Sequence, residues 1–267
     1  MDALEPLITA LHNEGRLRVW SLVVTVFGDA VQMRGGQIAT LRLQHLLERV
    51  GVEAGALRTA LSRLTHDGWV LRDRVGRNSF YRLSENGRAE ITAAAVGIYA
   101  APITDKIRDW RLVSGVQAPS GGIKVAAHLW LIPAGQPVDL SDYLCLTGTL
   151  ASFPERFAKR VMTAEHQAAL EALSRDIDAL KTARLSPLDA MAARMLLIHR
   201  WRRIVLRFPD IPPELVAAST DIINPRQRVA QAYRQLVDLS EEWLDGADHA
   251  MMPMPASGAE FKLRFGG

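Results

Sequence analysis

Residues 57–64 read Leu57-Arg58-Thr59-Ala60-Leu61-Ser62-Arg63-Leu64. Leu57, Leu61 and Leu64 recur at i, i+4 and i+7, the spacing of one buried helix face. The opposite face carries Arg58, Thr59, Ser62 and Arg63, with Thr65 and His66 toward its end. The pattern predicts a helix over residues 53–66. Asp67-Gly68 ends it, because glycine suits a left-handed C-terminal position. Upstream, Leu43, Leu46, Leu47 and Val50 mark another amphipathic helix over 41–50, and Gly51-Val52 breaks the chain between the two. Downstream, residues 69–74 and 79–83 are rich in aromatic and β-branched side chains. They flank Val75-Gly76-Arg77-Asn78, which is a hairpin signal. Ser84 is a good N-cap for a further helix through Tyr99.

Helix, glycine turn, helix and hairpin is the order of a winged helix-turn-helix, whose second helix enters the DNA major groove. Arginine forks onto guanine, while Ser and Thr reach phosphates or bases. The candidate DNA-contacting residues are therefore Arg58, Thr59, Ser62 and Arg63 on the helix. Arg74, Arg77, Asn78 and Ser79 join them at the hairpin tip, where this composition suits phosphate or minor-groove contact. The charge distribution agrees. Between Arg34 and Arg88 there are ten arginines, no lysine and five acids, although the whole chain is only +3. Such a local excess suits a polyanionic partner. The competing reading is a helical hairpin packed on a ribbon, with its arginines simply in water.

Outward from this region, 267 residues predict two or three domains. With 48% apolar and 23% charged residues, the composition is that of a globular protein and excludes disorder along the whole chain. The single cysteine, Cys145, excludes an intramolecular disulfide framework, fits a reducing compartment and reads as a small buried hydrophobe. No apolar run approaches the length of a membrane helix, and the acidic start Met1-Asp2-Ala3-Leu4-Glu5-Pro6 does not read as a secretory leader. A cytoplasmic protein without membrane partners is expected. The seven histidines are scattered away from Cys or carboxylate clusters, so neither a metal nor a resident cofactor is expected.

Residues 18–31 are apolar and β-branched, and periodicity leaves helix and strand open there. Pro102 marks a domain boundary. Runs 110–113, 128–132 and 143–147 read as three short strands punctuated by Gly and Pro. Helix formers then dominate, over 154–162, 164–183, 187–207 and 225–244. Residues 246–267 read as a flexible tail, although Phe261-Lys262-Leu263-Arg264-Phe265 alternates like a short strand.

The runs Ser21 to Asp29, Arg34-Gly35-Gly36, Leu57 to Leu64, Gly68-Trp69 and Gly76 to Leu83 together resemble the PaaX family of phenylacetate-operon repressors. His199 to Pro209, with Ile211-Pro212 and Glu214-Leu215, is similar to the family's C-terminal signature. Trp110-Arg111-Leu112-Val113 matches the opening strand of its central domain. The resemblance implies a helix over 18–28 and a multidomain α+β fold. It would comprise an N-terminal winged helix-turn-helix with linker helix (1–101), a central ferredoxin-like domain (102–160), a C-terminal helical domain (161–245) and the tail (246–267). It also implies a homodimer that binds double-stranded promoter DNA at palindromic sites and is released by an aryl-CoA thioester such as phenylacetyl-CoA. One departure stands out. Only fourteen residues separate Val113 from His128, and they include Pro119 and Gly121-Gly122, so the central domain is expected to be reduced by a helix.

Arg200, Trp201, Arg202 and Arg203 are consecutive on a predicted helix and sweep most of its circumference. At least one must face an interior, where an arginine needs an anionic partner. These four are the candidate effector-binding residues. The alternative is an internal salt bridge to Asp210, Glu214 or Asp221, with Trp201 in a core or interface. Two other functions compete with repression: a winged-helix protein-interaction module, and an enzyme acting on CoA thioesters or nucleic acid. The acids near the central strands, Asp109, Asp139 and Asp142, show no recognisable catalytic spacing, and a non-enzyme is expected.

Overall fold

A computed structural model describes residues 2–76, 78–103, 105–216, 224–247 and 251–267. The chain is mixed α+β. In order, it runs α1 (Glu5–Asn13), α2 (Val19–Val26), a π-helical turn (Phe27–Val31), β1 (Gln37–Ala39), α3 (Thr40–Glu48), α4 (Ala54–His66), β2 (Val70–Val75), β3 (Asn78–Leu83) and α5 (Glu85–Ile98). It continues with β4 (Asp109–Ser114), β5 (Ile123–Ala126), β6 (Leu129–Pro133), β7 (Leu144–Thr149), α6 (Glu155–Val161), α7 (Ala164–Leu180), α8 (Pro187–Val205) and α9 (Pro225–Asp245). Two compact units form. One comprises Met1–Ala101, Arg175–Arg203 and Arg228–Gly267; the other comprises Pro102–Ser174 and Ile204–Gln227. The helices read from the sequence as one C-terminal domain over 161–245 are shared between these units.

In the first unit, α3 and α4 are joined over Gly51, whose φ of +80° a side chain would oppose. The Val52 N–H bonds back to the Leu47 carbonyl at 3.0 Å, capping α3. α4 ends in the same way at Gly68 (φ +72°), where the Trp69 N–H reaches the Leu64 carbonyl at 2.8 Å. Leu57, Leu61 and Leu64 are buried, and α4 packs on α2. Burying each leucine contributes about 1.5–3 kcal/mol relative to exposure. β2 and β3 pair from Val70↔Leu83 to Val75↔Asn78, and β1 adds to the other side of β3 to give the sheet order β1-β3-β2. Ser84 caps α5 by accepting from the Gly87 N–H at 3.0 Å, and it donates to the Gly68 carbonyl at 2.6 Å.

The apolar run that periodicity left undecided is helical, but it widens into a π turn at Phe27–Val31. Asp29 on this turn is fully buried. It accepts from Arg194 Nε at 2.7 Å, Arg264 Nη1 at 2.8 Å, and the Tyr99 and Tyr233 hydroxyls at 2.7 and 3.0 Å. Arg194 also donates to Glu241 at 2.7 Å, and Arg34 bonds both Glu241 and Asp245. Three guanidinium groups thus meet three carboxylates, and the cluster is neutral.

Arg264 belongs to the segment expected to be a flexible, strand-like tail. The structure corrects both expectations. Ala259–Gly266 forms 3-10 turns, not a strand, and buries Phe261, Arg264 and Phe265. Met251 and Met254 are buried as well.

His199 is buried, with Nδ1 3.0 Å from Thr25 Oγ1. Burial pushes its pKa down to about 3, and the Arg202, Arg203 and Arg200 cations reinforce the shift. The folded state therefore stays neutral below pH 6.5 while an unfolded histidine takes up a proton. Stability should fall as pH drops from 6.5 toward 3, by at most about 1.4 kcal/mol per pH unit from this group. His199→Gln should flatten that part of a urea-denaturation pH series. An unchanged slope would refute the assignment.

The second unit is built on an antiparallel sheet of order β5-β6-β4-β7. A ferredoxin-like unit alternates strand and helix as β-α-β-β-α-β. Here neither residues 115–122 nor 134–143 contain a helix, so the expected ferredoxin-like domain lacks both its crossover helices. β5, unforeseen in the sequence reading, occupies part of the gap after Val113. Trp110, Val113, Trp130 and Ile132 form the sheet's buried core, and α6 packs beside β5. Cys145, expected to be buried, is half-exposed on β7. His128 adopts a left-handed conformation (φ 55°) in the β5–β6 turn.

Candidate nucleic-acid interface

α4 presents two faces. Leu57, Ala60, Leu61 and Leu64 point inward, while Arg58, Thr59, Ser62 and Arg63 are exposed. Arg63 pairs with Asp67 one turn on, at 3.4 Å. Both partners are well exposed, so the pair is weak and releases Arg63 readily. Arg58 has no ionic or hydrogen-bonded partner among the described residues.

The hairpin is braced from within. Arg72 donates to Ser79 Oγ at 2.8 Å, and Thr40 Oγ1 donates to the Ser79 carbonyl at 2.9 Å. Arg82 and Gln37 both donate to Asp73, at 2.8 and 3.2 Å. Ser79 is thus half-buried and engaged by Arg72 and Thr40. Arg74 and Asn78 are exposed. Arg77 lies outside the described residues.

Between α4 and the hairpin runs a groove of about 1040 Å³. α4 lines it with Arg58, Ser62, Thr65 and His66, and the hairpin with Arg72, Asn78 and Ser79. Of the residues singled out in the sequence, the structure gathers Arg58, Ser62, Asn78 and Ser79 around this groove. Thr59, Arg63 and Arg74 stand outside its lining, on open surface. Thr40 and Gln44 of α3 and Arg72 of β2 also line it and were missed. Thr40 and Gln44 are four apart on the polar side of α3, a signal that was present but lay on the helix not expected to enter DNA.

Arg42, Arg34 and Arg49, counted into the basic excess, have other work. Arg42 is buried and donates to the carbonyls of Trp243, Gly246 and Met252 at 2.6, 2.7 and 2.9 Å. Arg34 donates to the Pro255 carbonyl at 3.0 Å. Together they hold residues 252–255 along one side of the groove. Arg49 pairs with Asp2 and Asp189. Among the described residues, the exposed cations left around α4 and the hairpin are Arg58, Arg63, Arg72 and Arg74.

The four candidate effector residues are largely engaged within the fold. Arg200 bonds Asp176 and Glu14, and Arg203 bonds Glu14. Trp201 is buried and donates its indole N–H to the Ile98 carbonyl at 2.9 Å. The acids foreseen as partners act elsewhere: Asp210 pairs with Arg226, and Glu214 accepts from the Ile107 N–H at 2.9 Å. Asp221 lies outside the described residues. Arg202 alone of the three arginines has no carboxylate partner among the described residues. It donates to Ser21, while its buried Nε is unpaired, and burial lowers its pKa. The cleft beside it measures about 30 Å³, room for a water molecule and not for a thioester.

Among the described residues, no group of three or more His, Cys, Asp or Glu side chains could hold a metal ion, and no helix is long and apolar enough to cross a membrane. Asp139 accepts from the Ser141 N–H at 3.0 Å in a local turn.

Residues 18–87 match the family model of the PaaX-like proteins, and residues 157–246 match that of the PaaX-like protein C-terminal domain. The chain is 27% identical, over 303 aligned positions, to the transcriptional repressor PaaX of Escherichia coli (strain K12), covering 100% of this chain and 96% of that protein. Among solved structures it is similar to the uncharacterized protein Rv0674 of Mycobacterium tuberculosis, with a TM-score of 0.54 and 19% identity over 84% of this chain and 96% of the other. That likeness speaks to the fold alone.

Proposed function

The chain belongs to the PaaX family, and from that premise we propose that it is a DNA-binding transcriptional repressor, not an enzyme, of a phenylacetate-type aromatic catabolic operon. In this reading α3, α4 and the β2–β3 hairpin are a winged helix-turn-helix. α4 enters the major groove and the hairpin lies on the flanking backbone. The observation that carries the reading is the groove that sets Arg58, without an ionic partner among the described residues, and Ser62 of α4 opposite Asn78 and Ser79 of the hairpin.

The protein would bind palindromic sites as a homodimer and be released by an aryl-CoA thioester such as phenylacetyl-CoA. Release would follow from tighter binding of the thioester to the form that does not bind DNA. Of the effector residues proposed from the sequence, Arg202 remains the one cation available for an effector anion, and only in a conformation that opens the cleft beside it.

Fluorescence anisotropy on DNA fragments upstream of the gene and its neighbouring operons tests this, across a salt series with and without phenylacetyl-CoA. Selective binding that weakens steeply with salt, through counterion release, is expected, with release by the thioester. Salt-insensitive or non-selective association would refute the DNA reading. Selective binding indifferent to the thioester would refute the effector alone.

A further inference from the structure

The groove beside α4 is not walled by the helices and hairpin alone. Met252, Pro253, Met254 and Pro255, far along the chain, line it as well. The backbone of this strap is pinned. Arg42, only 1% exposed, donates to the Met252 carbonyl at 2.9 Å. The Met254 N–H bonds the Leu244 carbonyl at 3.0 Å, and Arg34 donates to the Pro255 carbonyl at 3.0 Å. Pro253 and Pro255 fix φ and supply no N–H, so the strap stays rigid without belonging to a helix or sheet. Met251 and Met254 are buried, whereas Met252 between them is 75% exposed. It is the one exposed methionine among the described residues.

We propose that Met252 is a DNA-contacting residue: with α4 in the major groove, its side chain packs on the apolar surface of the duplex, the sugars or the thymine methyl groups. Charge identifies the occupant. The groove is lined by Arg58 and Arg72 and by no Asp or Glu, and no charged side chain lies between Met251 and Gly258. A concave surface with cations and no carboxylate attracts a polyanion, and nothing on the strap repels phosphate. An exposed apolar side chain in such a place meets its match in the apolar groups that DNA presents between its phosphates, as when apolar residues take up the thymine methyl. Arg42 and Arg34 hold the strap before DNA arrives, so the contact adds little ordering cost. The proposal rests on the repressor reading for its partner. It extends the interface beyond the helix and hairpin, to a segment that the winged helix-turn-helix pattern does not include.

The test is anisotropy of the full chain on the duplex it selects from a random pool, beside Met252→Ala and Met252→Asp. Met252→Ala should weaken binding by roughly threefold to tenfold, through lost apolar burial. Met252→Asp should weaken it by more than roughly tenfold, because a carboxylate then faces phosphate. The position is exposed, so melting of both variants should match wild type. Uracil in place of thymine separates the two apolar sources: the Met252→Ala penalty shrinks for methyl contact and persists for sugar contact. Peroxide oxidation followed by peptide mass spectrometry reads the contact directly. Met252 should form sulfoxide faster than the buried methionines in the free chain, and the selected duplex should slow it several-fold. Variants that bind like wild type, tighter binding by Met252→Ala, or an oxidation rate that the duplex leaves unchanged would each overturn the proposal while wild-type binding stands. A wild type that selects no duplex would overturn the repressor reading, and this proposal with it.

Discussion

Asp29→Ala should destabilise the unit that carries α3, α4 and the hairpin by about 3–5 kcal/mol, the cost of breaking a buried ion pair from one side. Asp29 is fully buried, and Arg194 and Arg264 are 0% and 5% exposed, so removing the carboxylate leaves Arg264 with no carboxylate partner among the described residues and Arg194 with Glu241 alone. The corresponding melting shift is roughly 6–20 °C for a unit of this size. Arg264→Ala should cost less, because Asp29 keeps Arg194 and both tyrosine hydroxyls; its main effect should be faster hydrogen exchange over Ala259–Gly266. The pH dependence follows. Burial by itself would raise the Asp29 pKa, but Arg194, Arg264 and the two hydroxyls outweigh it and hold the carboxyl below the usual range. A carboxylate lowered on folding contributes stability above its unfolded pKa and loses it as pH falls through the folded one. Urea denaturation of both variants at neutral pH decides the matter. A loss under about 1 kcal/mol for Asp29→Ala would mean that the cluster is no keystone.

This cluster marks where sequence reasoning stops. The helix pair and hairpin were legible because their signals are local: leucines at helical spacing, glycines at turns, a serine cap. Arg34, Arg42, Arg194 and Arg264 were not legible, because an arginine's partner lies wherever the fold brings it. Arg34 finds Glu241 more than two hundred residues on. Arg34 and Arg42 were counted into a basic surface, Arg264 was placed in a tail and Arg194 was not singled out, yet all four are internal bolts. The tail failed for a related reason. Phe261 to Phe265 alternates with period two, but the 3-10 turns bury Phe261, Arg264 and Phe265, whose spacing tells only when their receptor is known. β1 is three residues long after a double glycine, too short for any alternation to register. The reduced central domain was foreseen from loop length, although the loss of its second crossover helix was not. Of the candidate DNA residues, their exposure was legible; which of them share one groove was not.

That partition leads to the sharpest test of the site. Arg58 lines the groove and is free of partners among the described residues, whereas Arg74 stands outside the lining on the open side of the hairpin. If α4 reads bases, Arg58→Ala should weaken binding to the cognate operator by about 1–3 kcal/mol, or roughly 5–150-fold, and relax preference at one base position. Its affinity for unrelated DNA should change little. Arg74→Ala should weaken binding to every sequence alike and lower the salt slope by about one, as expected for one lost phosphate contact. Both residues are exposed and neither supports the core, so melting temperatures should stay at the wild-type value and the comparison reads recognition alone. Anisotropy titrations of wild type and both variants, on operator and on scrambled DNA at several salt concentrations, separate the two roles. Equal losses on both DNAs from Arg58→Ala would move it to the backbone class. An unchanged operator affinity in both variants would remove the groove between α4 and the hairpin from the DNA surface altogether.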